Sequence, residues 1–192
     1  MKRLVWMLVA LTSFAARDAS AQGFISPFIG MTLTSPSPSG SSSKPGFGVA
    51  LGTLGGIVGF ETDIAYFPEL LDNSASGLAK NRVFTFSGNT LIGPMIGPVK
   101  AYGAIGAGDL LLNVQSLSSV VIPNPTSTTS NYFMFNVGGG VMGFFNNHLG
   151  VRGDLRYYKA YGFDLAATQT SGQLVLDHFD FWRASIGLAA KF

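Results

Sequence analysis

The residues best suited to chemistry are two sets of charged residues spaced two apart and one further arginine. They lie in three segments of the chain: Glu61, Asp63, Arg152, Asp154, Arg156 and Arg183. Two neighbouring carboxylates could serve as general acid and base in catalysis, with pKa values set by their surroundings. Residues two apart also share one face of a β-strand, so the same spacing predicts an ion-pair network, which is the interpretation that we favour.

Other patterns with chemical potential are weak. Asp177, His178 and Asp180 could ligate a metal, but they are not supported by further histidines at zinc-site spacing. The glycines of "GAIGAG" (103–108) lack the strand–turn–helix context of a dinucleotide site. No His-x-Ser arrangement suggests a serine esterase. We therefore predict no catalytic residue, no metal site and no cofactor.

The elements that must position the charged residues are strands. Eight segments alternate between apolar and polar or small residues, as half-exposed strands do, and most have the roughly 9–11 residues that a tilted membrane strand needs. They are 24–34, 46–54, 57–67, 82–92, 99–112, 131–145, 148–162 and 180–192.

The connections between these segments alternate in length. The long connections are 35–45, 68–81, 113–130 and 163–179, and the short ones are 55–56, 93–98 and 146–147. An up-and-down membrane barrel sorts its connections in this way, with short turns and both termini on the periplasmic side. A soluble sandwich has no physical reason to do so.

Composition favours the same fold class. The chain is 47% hydrophobic and only 11% charged, against about 25% charged in a typical soluble domain. After residue 21 it has no apolar run of helical spanning length. A transmembrane β-barrel satisfies every backbone hydrogen bond between strands and so survives in lipid. We therefore predict an all-β protein whose single domain, residues 22–192, is an eight-stranded antiparallel up-and-down transmembrane β-barrel.

The first 21 residues have the features of a secretory signal peptide. Lys2 and Arg3 precede an apolar run from Leu4 to Leu11, and Ala19-Ser20-Ala21 provides a cleavage site. Cleavage after Ala21 would leave nine basic and nine acidic residues. Without a basic cluster, the chain is not expected to bind nucleic acid.

With its signal peptide, eight strands, sorted connections and terminal "IGLAAKF", the chain resembles the small bacterial outer-membrane barrels of the OmpA/OmpX type. The resemblance covers the whole of residues 22–192 and implies a location in the bacterial outer membrane, in contact with its lipid. It also implies that the last strand is read by the barrel-insertion machinery. That signal would consist of Trp182, Ile186, Leu188 and Phe192. We expect a monomer.

In such a barrel the charged face of each strand must point into the lumen, because an Arg or Lys in the lipid band costs about 2–4 kcal/mol. Glu61 and Asp63 then face the arginines across the lumen, at a similar distance from the short turns. Segment 99–112 has Lys100 and Asp109 on opposite faces. It must contain a bulge, or one of the two must lie beyond the lipid band.

Three functions stay open. The first is a non-enzymatic outer-membrane barrel that stiffens the membrane or binds an unidentified surface ligand through its long connections. The second is a narrow porin or small-molecule transporter. The third and weakest is a soluble lipocalin-like binder, which would be apolar inside and polar outside.

Overall fold

The computed structural model describes residues 22–34, 43–68, 78–116, 127–161 and 178–192; the predicted signal peptide lies outside these ranges. The described chain forms nine strands: β1 Gln22–Thr34, β2 Ser43–Leu54, β3 Val58–Phe67, β4 Leu78–Ile92, β5 Met95–Ile96, β6 Val99–Ser116, β7 Ser127–Phe144, β8 Leu149–Tyr161 and β9 His178–Lys191. These residues include no helix long and apolar enough to cross a membrane.

The strands close into a ring. Every pairing in the ring is antiparallel. Strands consecutive in the chain pair with each other apart from β4 and β5; β4 pairs instead with β6, and β1 pairs with β9. The two-residue β5 folds back on the start of β6 within the β4–β6 connection. Eight strands therefore form the barrel wall, and the predicted fold class is confirmed.

The strands are strongly staggered around the ring. A path of paired residues that starts at Phe24 returns to β1 at Thr34, ten residues further along the strand. The path runs through Gly52, Glu61, Asn89, Gly106, Asn136, Tyr158 and Phe181. Closure with such a stagger requires strands tilted by about 35–45° from the barrel axis. The tilt decides which side chains meet inside.

The two faces of the wall differ in polarity. Large apolar side chains are exposed on the outside, among them Ile29, Phe47, Ile105, Phe135, Val137 and Ile186. Arginines, carboxylates and amides are buried in the lumen together with apolar residues. A lipocalin-like binder requires the opposite distribution, so the structure contradicts that alternative.

Strand β6 resolves the conflict between Lys100 and Asp109. Its pairing with β7 runs without interruption from Val99 to Gln115, so the bulge considered for this strand is wrong. Lys100 is buried in the lumen and Asp109 is exposed on the outside. Asp109 lies ten residues beyond Val99. At about 3.3 Å per residue and a tilt of about 40°, this distance is a rise of about 25 Å along the barrel axis, which equals the height of the apolar band. Asp109 therefore lies at the far edge of the band.

Short turns close the end of the barrel that also holds both ends of the described chain. In the β7–β8 turn the Asn146 side-chain oxygen accepts hydrogen bonds from the backbone N–H groups of His148 (2.8 Å) and Leu149 (2.7 Å). Between β5 and β6, Gly97 has φ of 59°, a left-handed conformation that glycine adopts without steric cost.

Candidate functional site: the lumenal ion-pair network

Three strands bring the predicted charged residues together inside the barrel. Strand β3 provides Glu61 and Asp63, β8 provides the Arg152, Asp154 and Arg156 group, and β9 provides Arg183. All six are buried. Each set points inward because successive side chains of a strand alternate between its faces, and the intervening residues Thr62, Gly153 and Leu155 face outward.

Glu61 bridges the barrel. Its carboxylate lies 2.6 Å from Arg152 Nη1 and 2.7 Å from Arg156 Nη2. Strands β3 and β8 are four apart in the ring of eight, so these ion pairs cross the lumen from wall to wall. Asn89 Nδ2 donates a further hydrogen bond of 3.3 Å to Glu61 Oε1. A single carboxylate thus holds two guanidinium groups at the centre of the barrel.

Asp63 forms a second cross-barrel pair. Arg183 donates two parallel hydrogen bonds to it, of 2.7 and 2.8 Å. This bidentate geometry is the strongest arrangement that the two groups can adopt. The Arg183 guanidinium also lies over the rings of Phe28 (4.8 Å) and Tyr158 (5.0 Å), where cation–π attraction helps to hold it in place.

Asp154 joins the remaining groups. It lies 2.8 Å from Arg156 Nε and 3.1 Å from Arg152 Nη2, and Arg183 Nη2 lies 4.0 Å away. The network therefore contains three carboxylates and three guanidinium groups, and its formal charge is zero. Buried charges require such compensation, since an unpaired one costs several kcal/mol.

Tyr102 and Asn89 belong to the network but were missing from the sequence prediction. The Tyr102 hydroxyl accepts a hydrogen bond from Arg152 Nε and donates one to Asp154 Oδ2, each of 2.8 Å. Its ring fits because Gly140 has no side chain: a Cβ there would lie 2.5 Å from the Tyr102 oxygen. Tyr102 lies on the same strand face as Lys100. Asp109 lies on the opposite face, so the sequence alone did not show which of the two faces points into the lumen.

Lys100 is a further buried cation near the short-turn end. Its ammonium group donates hydrogen bonds to the carbonyl oxygens of Gly55 (2.9 Å) and Gly93 (3.1 Å). These carbonyls belong to two different turns, so Lys100 ties the β2–β3 and β4–β5 connections together. This role is structural and could not be read from composition alone.

Apolar and aromatic side chains enclose the network. On the side of the long connections, the Tyr158 and Phe181 rings stack at 5.0 Å and Phe67 meets Phe181 edge-on at 6.2 Å. Toward the short turns, Phe24 and Met142 are buried. Some polar atoms of the lumen, such as Tyr158 Oη and Arg156 Nη1, make no hydrogen bond within the described chain, and we expect ordered water beside them.

The residues of the predicted insertion signal lie outside the barrel. Trp182, Ile186, Leu188 and Phe192 are exposed by 44, 62, 64 and 78% on its outer surface. The backbone N–H of Phe192 donates a hydrogen bond of 2.9 Å to the Gly23 carbonyl. These four residues share the outward face of β9 and of the residue that follows it with Ala184 and Ala190, and they are separate from the lumenal network.

Comparison with known proteins agrees with this architecture. Residues 7–192 match the family described as the outer membrane protein beta-barrel domain. Neisserial surface protein A is similar, with a TM-score of 0.64, 13% identity, and coverage of 88% of this chain and 97% of that one. No curated protein matches the chain.

Two further structures show the same fold. Ail, the attachment invasion locus protein of Yersinia pestis, has a TM-score of 0.58 and 11% identity, with 91% of this chain and 100% of Ail covered. A major outer membrane protein from Thermus thermophilus has a TM-score of 0.58 and 12% identity, with the same coverage. At such identities the likeness concerns the fold alone.

Proposed function

Because the chain belongs to the outer membrane β-barrel family and lies in the bacterial outer membrane, we propose that it is a non-enzymatic barrel that acts through its long connections. Its exposed apolar side chains contact the lipid. The ring closes within one chain through β1 and β9, so no second copy is needed to complete the barrel, and we propose a monomer. The alternative role is to stiffen the membrane, with no binding partner.

The observation that carries this proposal is the filled lumen. Glu61 reaches from β3 to the arginines of β8, and Asp63 reaches Arg183 on β9. These contacts cross the interior at its centre. An eight-stranded interior is either filled by side chains or holds one small ligand. Here buried charged and aromatic side chains occupy it, so a solute larger than water has no room beside these contacts. The lumen therefore supports neither a transport nor a catalytic role.

The carboxylates of the network support a non-enzymatic role. Each of Glu61, Asp63 and Asp154 contacts at least one arginine at 2.8 Å or less. A general acid or base must reach the proton that it transfers, directly or through one water. Here the carboxylate oxygens are buried inside the barrel and already contact arginine side chains.

The composition of the long connections limits the partner. The four long connections, 35–45, 68–81, 113–130 and 163–179, contain four carboxylates and two lysines, Lys44 and Lys80, so their net charge is −2 and they carry no basic cluster. Ail has been crystallised with the heparin analogue sucrose octasulfate. A sulfated polyanion requires basic contacts, so we propose a neutral or cationic partner for this chain instead.

Shortening one long connection tests the proposal. Since β6 ends at Ser116 and β7 begins at Ser127, residues 117–126 can be replaced by Asn-Gly, which leaves a short hairpin connection. The apolar "VVIP" within this segment is the best candidate for a contact surface. We expect the variant to fold and to keep its heat-modifiable gel migration, but to lose binding to a panel of immobilised matrix proteins and glycans.

The matched control replaces residues 35–42, "SPSPSGSS", with the same Asn-Gly pair and is expected to bind as the unmodified protein does. If a variant with all four long connections shortened kept every binding signal, or if no panel member bound the unmodified protein, a membrane-structural role would be the better explanation.

The porin alternative makes a different prediction. Because Arg152, Arg156 and Arg183 are buried and held across the lumen, we expect no steady single-channel conductance when the folded protein is placed in planar lipid bilayers. Large and reproducible channels from the monomer would replace the proposal with the narrow-pore function.

A further inference from the structure

A groove interrupts the outer surface where β9, β1 and β2 lie side by side. It has a volume of about 690 Å³ and is lined by Ile29, Met31, Pro45, Phe47, Ala184 and Ile186. Pairing aligns these residues, since Met31 lies opposite both Pro45 and Ala184 and Ile29 lies opposite both Phe47 and Ile186. We call it the β9–β1–β2 groove.

The groove arises from a local shortage of side-chain volume. Ala184 is the small residue of an outward row whose neighbours on β9 are Trp182 and Ile186. On the other side of Met31, Pro45 has a short, compact side chain that fills little of the outer surface. A depression therefore opens beside Met31, walled by larger apolar groups. Its volume lies within the range of about 300–1,000 Å³ that small-ligand sites occupy.

We propose that the β9–β1–β2 groove binds an acyl chain of an outer-leaflet lipid and holds it longer than the rest of the outer face holds its lipids. The groove is continuous with the lipid-facing surface of the barrel, and its lining is almost wholly apolar. A bilayer supplies acyl chains at high concentration on this surface, and they match the lining chemically.

The position of the groove assigns the leaflet. Pro68, which follows the last residue of β3, also lines it, so the groove reaches the end of the barrel where the long connections begin. In outer-membrane barrels these connections face outward from the cell. The groove therefore opens toward the outer leaflet.

The selectivity must come from packing. Lipid tails are as apolar as leucine, so no hydrophobic driving force distinguishes one lipid-facing site from another. A concave site instead gives a chain more van der Waals neighbours than a convex wall does, and many small contacts add up. Filling the groove with protein should abolish this advantage, which gives a direct test.

The test uses the refolded chain in detergent micelles and a phosphatidylcholine brominated at the middle of one acyl chain. Trp182 lies two residues from Ala184 on the same face and is the only tryptophan after residue 21, so it reports bromine nearby through fluorescence quenching. We expect saturable quenching, and native mass spectrometry should show one retained lipid. Ala184→Phe should raise the half-saturating lipid concentration about tenfold, equivalent to about 1.4 kcal/mol.

The matched control is Ala107→Phe, which adds the same ring to the outward face of β6, four strands from β1 in the ring. It should retain lipid as the unmodified chain does. If Ala184→Phe does not fold, Ala184→Leu takes its place, because leucine is common on lipid-facing strands. Quenching that never saturates, or equal retention by all variants, would overturn the proposal.

Discussion

Replacing Glu61 with glutamine is expected to lower the free energy of unfolding by about 3–5 kcal/mol, the usual cost of removing one partner from a buried ion pair. Glu61 compensates two guanidinium groups, those of Arg152 and Arg156, at 2.6 and 2.7 Å. Glutamine keeps the shape but carries no charge, so these arginines would share only Asp154. Urea unfolding in phospholipid vesicles, followed by Trp182 fluorescence, measures the loss.

Asp109→Asn is the matched control, since it also turns a carboxylate into an amide but at an exposed position on the outer face. We expect it to change stability by less than about 0.5 kcal/mol, as surface substitutions do. Combining Glu61→Gln with Arg156→Met removes one charge of each sign. This pair should show an interaction energy of about 0.5–3 kcal/mol. A loss below about 1 kcal/mol in Glu61→Gln alone would mean that the lumenal charges are solvated rather than paired.

The barrel wall could be predicted because its signal is local. Each strand alternates with period two, and the predicted 99–112 and 148–162 segments correspond to β6, Val99–Ser116, and β8, Leu149–Tyr161. Burial of charge is so costly in lipid that the inward face of β8 follows from Arg152 and Arg156 alone. Short and long connections then fix the order of the strands.

The pairing inside the lumen is less local. That Glu61 meets Arg152 could be expected from strand count and from their similar distances to the short turns. The bidentate contact of Asp63 with Arg183 depends on the ten-residue stagger of the ring. No single strand encodes that stagger, because it is set by the register of all eight pairings together.

In β6 a single residue, Asp109, prevented the inward face from being assigned from the sequence. Asp109 lies on the outer face near the end of the lipid band, and its charge made the inward direction of Lys100 and Tyr102 ambiguous. The sequence contains no marker of where the band ends. Aromatic residues mark the end of the band in part. Phe133 pairs with Asp109 across the β6–β7 ladder and packs edge-on against Phe135 at 4.9 Å on the same outer surface.

Replacing Phe192 with serine is expected to leave most of the chain unassembled in the periplasm while it changes the stability of the refolded barrel little. In the folded protein the Phe192 ring is 78% exposed and its backbone N–H bonds to Gly23. Serine keeps that backbone hydrogen bond, so the folded state loses only the partial cover of Gly23. If the aromatic end of β9 is read during insertion, the defect must arise before folding is complete.

Phe145→Ser separates the two effects, because Phe145 is 76% exposed and lies in the β7–β8 turn at the same end of the barrel. Cell fractionation, heat-modifiable migration and refolding into vesicles should be measured for both variants. We expect Phe145→Ser to assemble normally and both proteins to refold with similar stability. Normal assembly of Phe192→Ser in cells would remove the insertion signal from the terminus. An equal defect in Phe145→Ser would instead point to a general need for apolar residues at this rim, where they anchor the short turns in the lipid interface.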